Sequence, residues 1–421
     1  MNSILFLAFC LAGLYFLFNA GRMIGNPLVK KQKYFATGPQ IFLIFSVVTG
    51  FFMLGEWSAT RLSIWIVYLI VGTMVTKGKI KFTPVLILYI FYILYLFLSL
   101  FILSPDKFFG IRVIAKYLFP LCVLIFAAKI ANSEFVIYSG IKYVLAIAIF
   151  IQITFFLWIN WGGIFWVRST LADHLVVMSV ISLALFYATS KKKYLYLTLF
   201  FCSFPVVATI RTGLMGITGC FTIFFLFKYK WRALPVVVFV VAAAVLVVLY
   251  VPAVRGKMFR DKQMTADEII ENRENLTLKD IDTNGRQAMW DWSLDNYYRK
   301  NKVFGTGVGN LQMVFYSGKH PFNPLRVVHN DYVQILCDTG LVGLILFLLT
   351  SLSLVIHSFI IYNDKRNNEM IRLCAIVAGS SLVGILITSY TDNSVNYSFA
   401  TYFYPYVFFG MALSLVQKYG R

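Results

Sequence analysis

Long apolar runs, separated by short clusters of polar and charged residues, dominate the chain from end to end. A membrane-spanning helix needs about 20 mostly apolar residues, because the hydrocarbon core is about 30 Å thick and each helical residue rises about 1.5 Å. Thirteen runs meet this requirement, with 12 as the alternative count. The pattern therefore predicts an all-α, polytopic transmembrane helical bundle. The approximate cores of the spans are 3–20, 36–54, 62–76, 83–103, 113–128, 143–160, 170–189, 194–209, 212–227, 234–251, 335–361, 371–390 and 398–417.

The composition agrees with lipid as the solvent. The chain is 59% hydrophobic and only 13% charged, whereas a soluble domain has about 25% charged residues. This excludes a soluble enzyme. The 38 Lys and Arg residues outnumber 18 Asp and Glu, but they follow the loops between spans, so we expect no nucleic-acid partner. The six cysteines show no CxxC spacing and mostly lie in apolar runs, which predicts neither disulfides nor a metal site.

The distribution of Lys and Arg over the short loops predicts the orientation of the chain. When the loops are sorted into two alternating sets, one set carries 20 basic residues and the other carries five. Basic residues in short loops mark the cytoplasmic side. We therefore expect a multi-pass protein of the plasma (inner) membrane with a periplasmic N-terminus and a cytoplasmic C-terminus. The first apolar run lacks a basic start and a small-residue cleavage site, and we predict that it is a retained span.

One segment, residues 252–328, is much more polar than the rest. It contains 12 basic and nine acidic residues, and the alternation places it on the periplasmic side. It includes amphipathic stretches such as 287–298, which predict short helices in a packed cap. The chain is thus divided into transmembrane helices over 1–251, a large periplasmic loop over 252–328, and three further transmembrane helices over 329–421.

Polar residues that would be costly inside the bilayer collect on the same outer side as this loop. Arg211 lies in a break between two apolar runs, Asp173 and His174 begin a span, and Asp392 lies in the last outer turn. The loop adds Asn284-Gly285-Arg286, a glycine-rich run from Val303 to Leu311, and a block from His329 to Gly343. The glycine run lacks the preceding strand and the GKS ending of a phosphate-binding loop.

The order of these motifs resembles the O-antigen ligase and polymerase superfamily of bacterial inner membranes. It consists of an arginine in a short outer turn, N-G-R, a tryptophan, F-G-x-G-x-G-N, and then H-N-D-Y-V-Q-I-L-x-x-x-G-L-x-G. The resemblance implies a GT-C-like membrane glycosyltransferase that joins a glycan to an acceptor hydroxyl without a metal ion or other cofactor. It further implies that Arg211 and Arg286 bind the donor diphosphate and that His329 is the catalytic residue, with Asp392 matching an acidic residue of the last periplasmic turn.

The chemistry of these side chains fits the implied reaction. A guanidinium group is always charged and binds phosphate oxygens in pairs, so two arginines can neutralise a departing diphosphate. An imidazole exchanges protons near neutral pH and can activate a sugar hydroxyl. A direct displacement would invert the anomeric centre. Asp173, His174 and Arg326 are further supporting candidates, although we expect Arg326 to contact headgroups rather than diphosphate. Each residue also has an ordinary structural alternative, such as Arg211 reaching for headgroups.

The predicted donor is an oligosaccharide linked to undecaprenyl diphosphate, and the resemblance allows a chain-length regulator as an additional partner. A polymerase would use another lipid-linked glycan as the acceptor, whereas a ligase would use lipid A-core. The sequence slightly favours the polymerase. A lipid-linked oligosaccharide flippase is the alternative from another class, but flippases are expected to show internal repeats and mid-membrane charges.

Overall fold

The computed structural model describes residues 2–19, 22–25, 33–49, 58–157, 172–258, 265–271, 286–322 and 324–419. Asn284 and Gly285, and the predicted span ends at 50–54 and 158–160, lie outside these residues. The described helices are α1 (Asn2–Phe18), α2 (Gly38–Thr49), α3 (Ser58–Val75), α4 (Pro84–Ile102), α5 (Lys107–Ile130), α6 (Glu134–Phe156), α7 (Ala172–Thr189), α8 (Lys192–Val207), α9 (Arg211–Tyr229), α10 (Leu234–Tyr250), α11 (Pro252–Met258), α12 (Ala266–Glu271), α13 (Arg286–Asn296), α14 (Asn310–Tyr316), α15 (Asp331–Asn363), α16 (Glu369–Thr388) and α17 (Tyr404–Tyr419).

Every predicted span core overlaps one of these helices. Among the described residues, seven helical segments are long and apolar enough to cross a membrane. An eighth span would result if Ser394–Tyr402 and Tyr404–Tyr419, which meet at an angle of 45°, crossed it together. One of the seven, Arg211–Tyr250, contains both α9 and α10, which a 3-10 turn separates. Three shorter apolar helices also lie in the first 75 residues. The polytopic helical membrane class is confirmed, whereas the count of thirteen spans remains a prediction.

Two local features differ from the sequence prediction. A two-stranded antiparallel ladder pairs β1 (Arg22–Gly25) with β2 (Lys33–Ala36) in a segment where we expected only a loop. The last span was expected from residue 398, but Ser398–Tyr402 forms a π-helical segment and the α-helix begins at Tyr404. Both deviations come from backbone hydrogen bonding, which hydropathy does not report.

Side-chain caps define where several helices begin. Thr83 accepts a hydrogen bond from the Leu86 N–H, and Pro84 follows at the first helical position of α4. Asp106 accepts hydrogen bonds from two backbone N–H groups of α5, and Asn330 accepts one from Val333 of α15. These residues satisfy backbone donors that have no partner within the first helical turn.

The polar ends of the helices gather on two opposite sides of the bundle. Helix α5 contains 24 residues, so its ends are about 36 Å apart. Near its first residue, Ser104 Oγ donates to the Val308 carbonyl oxygen at 2.9 Å. Beyond its last residue, Asn132 accepts hydrogen bonds from Gln40 Nε2 at 2.9 Å and Lys418 Nζ at 2.7 Å. We call these the cap side and the basic side. These two sides agree with the two sets of loops that the counts of Lys and Arg distinguish in the sequence.

The described part of the long loop packs around a small apolar core on the cap side. The first turns of α15 belong to this core, because Val333 and Cys337 are buried in it. Helix α15 then bends at Gly340, whose φ of 66° is left-handed. The other members of the core are Met289, Trp290, Leu311, Phe315 and Val328.

The glycine-rich run joins this cap to the bundle by close backbone contact. A Cβ on Gly307 would lie 2.4 Å from Ser104 Cα, and a Cβ on Gly340 would lie 2.3 Å from the Val303 carbonyl oxygen. Both glycines also have positive φ, at 105° and 66°, a region that L side chains rarely adopt. These glycines therefore allow the backbone of the cap to pack directly against neighbouring backbone segments.

Replacing Gly340 with alanine is expected to destabilise the protein by about 1 to 3 kcal/mol, because the new Cβ collides with the backbone and the left-handed conformation becomes strained. The measurement is the unfolding temperature of the purified protein in detergent. Gly256→Ala is the matched control, since no atom lies within 4 Å of a Cβ at that position. Equal unfolding temperatures for the two variants would contradict the close packing at Gly340.

Candidate functional site

The turn between α16 and α17 is the centre of the candidate site. Residues 389–397 form this turn, which we call the 389–397 turn. It is fixed to the start of α15 by several hydrogen bonds, three of which involve Asp331. The Asp331 N–H donates to the Ser389 carbonyl oxygen at 3.0 Å, and the Asp331 carboxylate accepts from Val395 N–H at 3.1 Å and Asn393 Nδ2 at 3.2 Å. Asp331 itself is buried.

His329 lies directly against this turn. Its Nδ1 is 3.4 Å from Asp392 Oδ1, and the two side chains are 23% and 27% exposed, so the pair can be reached from solvent. The carboxylate can hold the imidazole with its Nε2 available to a substrate, which is the arrangement of a base and its orienting group. The backbone of His329 has a left-handed φ of 50°, a conformation that non-glycine residues adopt mainly where the surroundings enforce it.

Asn393 enforces this conformation, and the sequence analysis missed its role. Its Oδ1 accepts a hydrogen bond from the His329 N–H at 2.7 Å, while its Nδ2 donates to Asp331. The amide thus connects the histidine backbone to the buried carboxylate. Asp331 stands within the H-N-D-Y motif and could have been noticed there. Asn393 gave no comparable signal, because its partners are more than 60 positions away in the sequence.

Arg286 reaches the same turn from α13, of which it is the first residue. Its guanidinium group donates a hydrogen bond to the carbonyl oxygen of Thr391, next to Asp392. Trp290, one helical turn further on, fixes α13 in place by donating from Nε1 to the Val328 carbonyl oxygen at 2.9 Å and by packing on Tyr390. Among the described residues, no carboxylate forms an ion pair with Arg286.

Arg211 begins α9 on the same side of the bundle. Its Nη1 donates to the carbonyl oxygen of Lys257 at 2.8 Å, and Lys257 Nζ donates back to the Thr209 carbonyl oxygen at 2.9 Å. Five residues later, α9 packs closely against α16, because a Cβ on Gly216 would lie 2.6 Å from Thr388 Cγ2. Arg211 is therefore about 7.5 Å further along the helix axis towards the cap side. No direct contact joins its side chain to His329 or Arg286 among the described contacts.

Asp173 and His174 are buried beneath the turn rather than at its surface. Asp173 accepts a hydrogen bond from Ser394 Oγ at 3.1 Å and another from Thr388 Oγ1. The Asp173 carboxylate thus supports the 389–397 turn from below. His174 has no exposed surface and lies outside the reach of a substrate at His329.

Arg326 is exposed, and none of its described contacts is with the 389–397 turn. Its guanidinium carbon is 5.3 Å from the centre of the Tyr316 ring. The structure thus brings His329, Asp392 and Arg286 to one turn, with Asp173 below it. It places Arg211 on the same side, where its described bond is to Lys257, and it places Arg326 on a neighbouring surface. Among the described residues, no group of three His, Cys, Asp or Glu side chains is arranged to hold a metal ion.

These features define a polytopic helical membrane protein with a histidine, a carboxylate and an arginine on one turn at its cap side. Residues 196–348 match a family model described as O-Antigen ligase. This match supports the place of the chain in the O-antigen ligase and polymerase superfamily and confirms the resemblance drawn from the motifs. The matched segment contains Arg211, Arg286 and His329, but Asp392 lies beyond it. A comparison with curated proteins finds no match. The family indicates glycan transfer of the ligase or polymerase type, with lipid-linked glycan substrates in general.

Proposed function

We propose that this protein transfers a glycan from an undecaprenyl-diphosphate donor to a sugar hydroxyl, with inversion and without a metal ion, at the periplasmic face of the inner membrane. The observation that carries the proposal is the meeting of His329, Asp392 and Arg286 on the 389–397 turn. A base with its orienting carboxylate, and an arginine that forms no ion pair among the described residues, are the groups that such a transfer needs.

The proposed reaction is a single displacement. His329 Nε2 accepts the proton of the acceptor hydroxyl, whose oxygen forms a bond to the anomeric carbon. The bond from that carbon to the diphosphate oxygen breaks, and the diphosphate leaves with the electron pair. Arg286 neutralises the charge that develops on the leaving group, and Arg211 approaches from α9 as the second diphosphate ligand. Asp392 stabilises the imidazolium that forms.

The proposed orientation follows from the loop charges. The side opposite the cap holds basic residues such as Lys129 and Lys418 near its helix ends, which is typical of a cytoplasmic face. The cap and the 389–397 turn would then face the periplasm, where lipid-linked glycans are elongated or attached.

A polymerase is the preferred role, and a ligase is the second candidate because the matching family model is described as O-Antigen ligase. Deleting the gene and separating the lipopolysaccharide on a gel distinguishes the two. Core carrying a single glycan repeat would indicate loss of a polymerase. Bare core, with finished glycan left on its undecaprenyl carrier, would indicate loss of a ligase.

Reconstitution tests the chemistry directly. The purified protein in lipid vesicles is supplied with a short synthetic glycan on undecaprenyl diphosphate, and the product is analysed by mass and linkage. We expect transfer with inversion and less than a twofold change in rate on adding EDTA. Loss of activity with the chelator, restored by a divalent metal, would contradict the metal-independent mechanism. Movement of the lipid between leaflets without any transfer would instead indicate a flippase.

A further inference from the structure

A second group of cationic side chains lies beside the candidate site, where α14 packs along α5. Lys116 Nζ donates to Gln312 Oε1 at 3.2 Å. About two turns earlier on α5 and one turn later on α14, the rings of Phe109 and Tyr316 are 5.5 Å apart. The two helices therefore run side by side in a fixed register, and this register positions Tyr316 on the cap side.

Tyr316 is in contact with two guanidinium groups. The guanidinium carbon of Arg112 lies 5.7 Å from the centre of the Tyr316 ring, and that of Arg326 lies 5.3 Å from it. Arg112 also lies over the rings of Phe108 and Phe109, at 5.6 and 5.4 Å. We call Arg112, Tyr316 and Arg326 the Tyr316 cluster. These aromatic contacts position both guanidinium groups, and neither group donates a hydrogen bond to another described residue, so their N–H groups can bind an anion.

Within the part of the chain that the structure describes, the Tyr316 cluster carries positive charge and forms no ion pair. None of the ion pairs among the described residues includes Arg112 or Arg326. Like charges held close together repel one another, and a bound anion relieves this repulsion. The arrangement therefore favours an anionic ligand.

Exposed apolar side chains adjoin the cluster. Phe108 is 67% exposed and Ile111 is 53% exposed, both in the first turns of α5. An anion-binding group beside an apolar surface at the end of a spanning helix fits a lipid with a phosphate headgroup. The candidate site is close by, because Arg326 precedes His329 by three residues and Lys116 Nζ donates to Asn396 of the 389–397 turn.

We propose that the Tyr316 cluster binds the diphosphate of the acceptor, a second lipid-linked glycan, while Arg286 and Arg211 bind that of the donor. This inference rests on the proposed function and gives Arg326 a more specific ligand than the headgroups expected from the sequence. The acceptor diphosphate does not react. Its binding site should therefore affect the acceptor concentration needed for turnover much more than the maximal rate.

The test uses two substrate analogues that separate the roles. The donor is a short glycan on undecaprenyl diphosphate whose terminal acceptor hydroxyl is replaced by hydrogen. The acceptor is the same glycan joined to its lipid by a carbon-linked phosphonate that cannot leave. Rates are measured in phosphatidylcholine vesicles with the full-length protein, the Arg112→Gln/Arg326→Gln double variant, and the control Arg299→Gln, which changes an exposed arginine of the loop paired with Asp295.

The double variant is expected to raise the half-saturating acceptor concentration by about tenfold to a hundredfold, which is the loss of charge-assisted hydrogen bonds. The corresponding concentration of donor should change less than threefold, and the control should behave like the unmodified protein. An unchanged acceptor requirement, or an equal loss for the donor, would overturn the assignment. If added phosphatidylglycerol reversed the difference between the proteins, the cluster would be a site for bilayer lipid instead.

A binding measurement separates this inference from the proposed function. Native mass spectrometry uses one glycan lipid that combines both changes, the missing terminal hydroxyl and the carbon-linked phosphonate, so that it can neither accept nor donate. It should detect two such lipids on the unmodified protein and one on the double variant. If the double variant bound two lipids and needed no more acceptor than the unmodified protein, while transfer still occurred, only the assignment of the acceptor site to the Tyr316 cluster would be rejected. Absence of transfer by the unmodified protein would reject the proposed function, whatever the lipid count.

Discussion

Replacing His329 with alanine is expected to lower the rate of glycan transfer by about 10²- to 10⁴-fold, because the acceptor hydroxyl loses its base. Donor binding should persist, since Arg286 and Arg211 remain. The measurement compares single-turnover transfer with binding of the lipid-diphosphate donor in the same reconstituted preparation. His329→Gln should be similarly slow, because an amide can form hydrogen bonds but cannot take up the proton at neutral pH.

His357→Ala is the matched control for this variant. His357 lies on the same helix, α15, and bonds to the Ser353 carbonyl oxygen well away from the 389–397 turn. It should leave transfer unchanged. Asp392→Asn should have an intermediate effect, because Asp392 acts through the imidazole. A His329→Ala protein that retained a tenth or more of the normal rate would exclude His329 as the base.

Replacing Arg286 with alanine is expected to lower kcat/KM by about 10²- to 10³-fold, because one preorganised donor to the leaving group is removed. Arg286→Lys should recover only a small part of this loss. A lysine keeps the charge but cannot offer two parallel N–H groups to a phosphate. The measurement is the initial rate over a range of donor concentrations, with binding of the donor followed separately.

Arg299→Ala provides the control for this second variant, because Arg299 lies in the same loop and pairs with Asp295 at the surface. It should not change the rate by more than about twofold, since exposed ion pairs contribute little. If both arginine variants lost activity equally, the effect would belong to the net charge of the loop. A fully active Arg286→Lys protein would also contradict bidentate recognition of the diphosphate.

Much of the architecture could be predicted from the sequence, because hydropathy and helix length act locally. Each long apolar run predicted a helix that the structure contains, and the charge of the short loops separated the two sides. The order of Arg211, Arg286 and His329 was recognisable from the motifs. Their placement on one side of the bundle follows from the alternation of spans, which requires no knowledge of side-chain contacts.

The inner structure of the site could not be predicted in this way. Asn393 bonds to His329 and Asp331 from more than 60 positions away, and no periodicity marks such a contact. The run from Val303 to Leu311 lacks the features of a phosphate-binding loop, but its sequence does not show that Gly307 packs against the backbone at Ser104. The bend at Gly340 was hidden within a continuous apolar pattern.

The hydrogen bonds of the 389–397 turn also limit which protein groups can bind an anionic part of a substrate. The main-chain N–H groups of Asp392 and Asn396 donate to carbonyl oxygens within the turn and its preceding helix. Those of Asn393 and Val395 donate to aspartate side chains, and that of His329 donates to Asn393. These backbone amides are already occupied, so they cannot form an oxyanion hole for a substrate. In the proposed reaction, anion recognition would therefore depend on arginine side chains, and substrate preference could change through the positions of those arginines while the backbone stays the same.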